Sequence, residues 1–121
     1  MKQAGTWGVM SSYNKLNGTY TAENEWLLTK VLREDWGFDG VVMSDWFGSR
    51  STAPTVNAGL DLEMPGPTRD RGDKLIAAVE AGEVSRETVR TRALNVLRLM
   101  ERVGSLHDLA DRPEQANDRP E

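Results

Sequence analysis

Cysteine is absent from the 121 residues, and histidine occurs once, at His107. The first absence excludes disulfides and thiolate-bound metals; with a single imidazole besides, a metal centre has little to be built from, and no cofactor is expected. No apolar run approaches the roughly 20 residues that span a bilayer, and no signal-peptide pattern precedes Thr6. A cytoplasmic setting is therefore the expectation, although Met1 to Gly5 reads as the frayed end of a helix entering the next strand, so a lost upstream segment could have carried a signal. Basic charge is scarce too: 15 Lys and Arg face 19 Asp and Glu, a formal net charge of −4. No basic cluster stands out to neutralise phosphates, which argues against nucleic acid and anionic membrane as partners. A phosphate-cradling Gly-rich Lys-Ser/Thr loop, a GxSxG elbow and paired histidines are all missing.

What is present suffices for a core, since 38% of the residues are apolar and four are Trp. The most informative stretch is Gly37 to Arg50, GFDGVVMSDWFGSR. Consecutive apolar residues, Val41-Val42-Met43, bounded by Gly, read as a strand buried on both faces, the mark of a parallel sheet covered by helices. Asp45 then falls at the carboxyl end of that strand, where parallel α/β proteins build their sites.

In chain order, Trp7 to Ser12 reads as a short strand centred on Val9-Met10. Asn17-Gly18 is a turn signal, because both residues tolerate φ > 0; a hairpin is compatible with it, but the following pattern is helical. Asn24 is placed to cap a helix carrying Leu27, Leu28, Val31, Leu32 and Trp36, which Gly37 closes. After the strand Val41 to Ser44 come a polar loop, Phe47 to Thr52, and a short helix around Pro54 to Ala58 ended by Gly59. Leu60 to Met64 alternates apolar and acidic residues and reads as a third strand stopped by Pro65-Gly66-Pro67. A charged loop, Thr68 to Gly72, leads to a helix over Asp73 to Ala81 with Leu75, Ile76 and Val79 on one face. A longer helix starts at Ser85 as N-cap and presents Val89, Ala93, Val96, Met100 and Val103 before Gly104. Residues 105–121 read as a polar linker or tail.

Three strands, each followed by helix, are βα repeats. A closed eight-fold barrel needs about 250 residues, and three parallel strands alone leave open edges and uncovered apolar faces. The fold class is thus α/β, with residues 1–104 forming about three βα units of an incomplete (β/α)8 TIM barrel.

Three acids lie near strand ends: Asp45, Asp61 and Glu63. Paired carboxylates are the working parts of glycoside hydrolysis, and Asp45 with Glu63 is the tempting pair. Against it, Asp61 and Glu63 suit binding of neighbouring backbone or Arg at the barrel interior or rim. For Asp45 itself the alternatives are a site carboxylate and a cap on the following loop. Trp46 offers an indole face for a sugar or a cation, or a core aromatic. Tyr13 is a phenol donor in a site or a surface turn residue, whereas Lys15, Arg50 and His107 read as solvated side chains.

VMSSYNKLNGTY, WGFDGVVMSDWFGS and AGLDLEMPGP, in this order and spacing, resemble family 3 glycoside hydrolases of the β-glucosidase type, over Gly5 to Leu106. The resemblance implies that residues 1–104 are the later part of that family's N-terminal barrel domain. It further implies that Asp45 is the catalytic nucleophile, that Trp46 contacts the sugar beside the cleaved bond, and that Tyr13 of the SYN motif sits beside the nucleophile, with Met10 three residues earlier in the same site. A β-glucoside or oligosaccharide is the implied substrate. An SDW rather than SDD motif places the chain with β-glucosidases or β-xylosidases and not with the N-acetylglucosaminidase branch. Arg50 departs from the pattern, near a position where many relatives carry His. The family's upstream Lys-His pair has no counterpart before Met1. Its acid/base is typically a Glu of a second, downstream domain, so by resemblance Glu63 is not that acid. The implied mechanism is retaining, through a glycosyl-enzyme ester on Asp45; the alternative is a non-catalytic truncated fragment or structural remnant.

Overall fold

The computed structural model describes residues 2–106. After a 3-10 turn, Lys2–Ala4, strand β1 (Gly8–Ser11) lies parallel to β4 (Val41–Ser44), with Gly8 opposite Val41 and Ser11 opposite Ser44. The Val41 N–H donates to Trp7 O at 2.9 Å just before the paired residues. This approach explains Gly40: a Cβ there would stand 2.2 Å from Trp7 O. β4 has the bounds expected from sequence, and Val41, Val42 and Ser44 are buried, as a strand covered on both faces requires.

Between β1 and β4 the Asn-Gly signal does form a hairpin. β2 (Lys15–Leu16) pairs antiparallel with β3 (Thr19–Tyr20), and Asn17 and Gly18 adopt φ of 50° and 86°. Positive φ at both central residues matches the right-handed twist of the arms. A 3-10 turn, Thr21–Glu23, then places Asn24, whose Oδ1 accepts the Leu27 N–H at 2.9 Å and so caps the helix as expected. That helix, Trp26–Asp35, is a π-helix; at its end the Trp36 N–H reaches back five residues to Val31 O at 3.0 Å. Its buried face carries Leu28 and Leu32, which pack with Ala22, Phe38, Val42, Ala58 and Leu60 in the main apolar cluster.

Helix α1 (Ala53–Ala58) joins this cluster to a smaller one, in which Val56 packs with Ala78 of α2 (Asp73–Glu80) and with Val84. The apolar face expected for α2 is only partly used, since Ile76 is exposed and Ala78 is the buried residue. Ser85 caps α3 (Arg86–Arg102) as expected, its Oγ accepting the Thr88 N–H at 2.9 Å.

Two expectations are corrected. The third strand reduces to one parallel bridge, Met43 with Leu62. The Asp61 and Leu62 N–H groups both donate to Val42 O, at 2.9 and 3.1 Å, so the ladder cannot advance in step. The alternation is also broken: Leu60 is buried as expected, but the Asp61 side chain beside it is fully buried too and Leu62 is 37% exposed. The second correction concerns α3, whose expected apolar stripe is partly buried at Val89, Val96 and Met100 but is broken elsewhere and joined by a polar contact. Ala93 and Val103 are exposed, and the buried residue is Asn95.

Asp61 accounts for both. Its carboxylate accepts from Arg33 Nη2 at 2.5 Å, the Val42 N–H at 2.8 Å, Asn95 Nδ2 at 2.9 Å and Arg92 Nη1 at 3.4 Å. It thereby ties the π-helix, β4 and α3 to one point. A buried carboxylate is tolerable only with such partners. Removing it strands two largely buried guanidinium groups. Asp61→Ala is expected to cost about 3–5 kcal/mol, a large part of a total stability of about 5–15 kcal/mol, as read from urea unfolding; a loss below about 1 kcal/mol would refute the role given to this carboxylate.

Candidate active site

The parallel ladder continues one residue past β4, because the Asp45 N–H donates to Ser11 O at 3.3 Å. Asp45 therefore leaves the carboxyl end of β4 at a fixed height. Ser44 below it is locked to the third segment: its Oγ accepts the Met64 N–H at 2.9 Å and donates to Met64 O at 3.3 Å. The chain then turns sharply. The Gly48 N–H donates to Asp45 O at 2.9 Å, and the Phe47 N–H to Met64 O at 3.0 Å. Phe47 adopts φ of 59°, a strained value for a bulky residue, held by these neighbours.

Asp45 is half-buried, and its Oδ1 accepts the Trp46 N–H at 2.7 Å. The capping contact and the site position are thus one arrangement, in which the loop orients the carboxylate. Tyr13, from the turn after β1, donates its hydroxyl to Trp46 O at 2.7 Å and lies against the Asp45 carboxylate. Its phenol is pushed above its ordinary value by desolvation, then by the neighbouring Asp45 carboxylate. Trp46 is 61% exposed, so its indole is a surface platform and not a core aromatic. Met10 pairs in register with Met43 and is 58% exposed. The structure therefore brings Tyr13, Asp45 and Trp46 into direct contact and leaves Met10 on the exposed side of β1.

The two other acids are engaged elsewhere. Asp61 is the buried hub described above. Glu63 accepts the Asp70 N–H at 2.9 Å, the Arg69 N–H at 3.3 Å and the Thr68 hydroxyl at 2.6 Å. These are the backbone and Arg roles that the sequence offered as alternatives to catalysis. Lys15 and Arg50, read from sequence as solvated charges, both stack on Tyr20, at 4.6 and 4.5 Å from the ring centroid. His107 lies outside the described residues. Among the described residues no group of three or more His, Cys, Asp or Glu is placed to hold a metal, and no helix is long and apolar enough to cross a membrane.

Sequence reasoning missed Arg69, set aside within a charged loop. Its Nη2 donates to Ser49 O and, at 3.4 Å, to Phe47 O, while its Nε donates to Asp70 Oδ2 at 3.2 Å. Nothing in the local pattern distinguishes this Arg from Arg71, which instead donates to Thr55 Oγ1 at 2.8 Å.

A carboxylate oriented by backbone, a phenol beside it and an open indole, all at the carboxyl end of a parallel strand, suit attack on a sugar bound to an aromatic face. The model for the glycosyl hydrolase family 3 N terminal domain matches residues 1–99. The chain belongs to glycosyl hydrolase family 3, a family of glycosidases. It is 69% identical over its full length to a beta-glucosidase of Rhizobium radiobacter, of which it covers 15%, and 49% identical to a probable beta-glucosidase I of Aspergillus clavatus, of which it covers 14%. The chain thus spans a small part of these curated relatives. Among solved structures it is similar to the Bifidobacterium adolescentis GH3 beta-glucosidase, with a TM-score of 0.82 and 38% identity over 94% of this chain and 17% of that one. It is also similar to beta-glucosidase 3B from Thermotoga neapolitana in complex with alpha-D-glucose, with a TM-score of 0.76 and 42% identity over 82% of this chain and 15% of that one.

The Tyr13 geometry is open to direct titration. The chain has two tyrosines, so the difference between its ultraviolet titration and that of Tyr13→Phe isolates this phenol. It should titrate above the ordinary 10.0, and Asp45→Asn should bring it part of the way back, since desolvation persists. Because the folded value is raised, this group favours the folded state below pH 10, and that contribution is lost as pH rises through the folded value. An ordinary Tyr13 value that Asp45→Asn leaves unmoved would contradict the contact.

Proposed function

We propose that this chain forms part of a retaining β-glucosidase and supplies its nucleophile, Asp45. The observation that carries the reading is the placement of Asp45 at the end of β4, with Oδ1 held by the Trp46 N–H, the Tyr13 phenol beside it and the Trp46 indole open to solvent. The beta-glucosidase relatives and the glucose-bound neighbour support a β-glucoside or oligosaccharide substrate. In this reading β1, β4 and the segment 60–64 are parallel segments of a (β/α)8 barrel. Residues 1–104 belong to that domain, whereas the expected linker or tail, 105–121, lies outside the described residues beyond position 106.

The chemistry follows from the carboxylate and its surroundings. Asp45 attacks the anomeric carbon as the anion and forms a glycosyl-enzyme ester, while the leaving oxygen takes a proton from a second carboxyl group. Water activated by that same group then hydrolyses the ester. Trp46 offers its face to the apolar side of the sugar ring, Tyr13 holds the Asp45–Trp46 turn, and Met10 borders the same end of the strands. Asp61 and Glu63 are committed to structural contacts, so the acid/base comes from neither. In this reading the chain contributes one half of the carboxylate pair.

Replacing the matched segment of the Rhizobium radiobacter relative by this chain gives a full-length context for the test. The chimera should hydrolyse an aryl β-glucoside, and incubation with a 2-fluoro glucoside should leave a covalent adduct on the peptide containing Asp45. Asp45→Asn should lower turnover by at least about 10³-fold. A folded chimera that is inactive, or an adduct mapped to another acid, would sink the assignment; turnover by the 121-residue chain alone, lost on Asp45→Asn, would refute its dependence on a second carboxylate from elsewhere.

A further inference from the structure

We propose that Arg69 is a positioning residue for the Asp45–Trp46 turn and that Glu63 sets Arg69 in place. The inference rests on the reading of Asp45 as nucleophile. The turn that carries Asp45 and Trp46 continues into Phe47, Gly48 and Ser49, a strained segment whose only exit is through the polar loop to α1. Two carbonyls of this segment, Phe47 O and Ser49 O, accept from the same guanidinium nitrogen, Arg69 Nη2. The Arg69 group also lies 5.9 Å from the Phe47 ring centroid. Ser49 is fully buried, so its carbonyl has little access to water and depends on protein donors.

Arg69 is itself fixed from two sides. Its Nε and Nη2 both donate to Asp70 Oδ2, at 3.2 and 3.1 Å, and Asp70 is 8% exposed. The loop bearing both residues is wrapped around Glu63, which accepts the two N–H groups of Arg69 and Asp70 and the Thr68 hydroxyl. A planar guanidinium can serve carbonyls and a carboxylate at once in fixed directions, which an ammonium cannot. The path runs from Glu63 to the 68–70 turn, then through Arg69 to the carbonyls next to Trp46. Glu63 therefore influences Asp45 through the geometry of the loop and takes no part in proton transfer.

The test uses the chimera in its active form. With Arg69→Ala, kcat/KM for an aryl β-glucoside should fall by about tenfold to a hundredfold, the scale expected when reacting groups shift by about an ångström. The loss should lie mainly in kcat and in the rate of 2-fluoro glucoside inactivation, with the adduct still on Asp45. Added guanidinium ion should restore part of the rate, and Arg69→Lys should fall between Arg69→Ala and the parent. Glu63→Gln should show the same kcat bias with an unshifted acid limb of the pH–rate profile. An adduct on Asp45 together with Arg69→Ala activity within about twofold of the parent would overturn the role of Arg69 and leave the nucleophile standing. A loss that follows thermal unfolding and ignores guanidinium would overturn it equally. An adduct on another acid would remove the nucleophile reading, and this inference with it.

Discussion

The buried Asp61 carboxylate is the contact on which the described fold depends. Its four donors come from the π-helix, β4 and α3, the last of which adds no residue to the main apolar cluster. An apolar residue at this position would leave Arg33 and Arg92 buried without a counter-charge, and desolvation already pulls the Arg92 guanidinium below its ordinary value. By comparison, the Arg102 pair with Asp39 lies near the surface; it holds the Asp39 carboxyl below its ordinary value mainly through the hydrogen bond, but solvent screens most of its effect on stability. One ion cluster is structural, and the other trims a helix end.

The hub also explains how a site can be held without a full sheet. β4 has one regular partner strand, and on its other side only the Met43–Leu62 bridge. Asp61 reaches across that weak side to the Val42 N–H, and Ser44 to Met64, so side chains complete what the ladder leaves out. Asp45 therefore rises from a strand anchored on both flanks. The strained turn after it is then fixed by Tyr13 from one side and Arg69 from the other.

Much of this was legible in the sequence where a single local rule decides. Val41 to Ser44 followed from its apolar run, and Ser85 and Asn24 from their capping chemistry. The Asn-Gly hairpin was only half legible, because its arms are two residues each and the helical pattern follows at once. The third strand and part of the stripe on α3 depart from expectation for a common reason. Alternation and periodicity assume that apolar residues turn inward, whereas Asp61, Arg92 and Asn95 occupy the interior as a mutually satisfied set. Of the candidate site, Tyr13, Asp45 and Trp46 are marked by their motifs, while Arg69 is not. Its partners are main-chain carbonyls, which carry no residue signature.

Tyr20 holds Lys15 on its own hairpin and Arg50 from the loop after Asp45 against one ring. Positions 15, 20 and 50 consequently form a single unit of substitution, although 35 residues separate the first from the last. An aliphatic residue at 20 would release both cations, whereas a change at 50 alone would free the loop and leave the hairpin dressed. Variation in the charge of this surface is thus channelled through one aromatic ring, and sequence drift there should proceed in concerted steps.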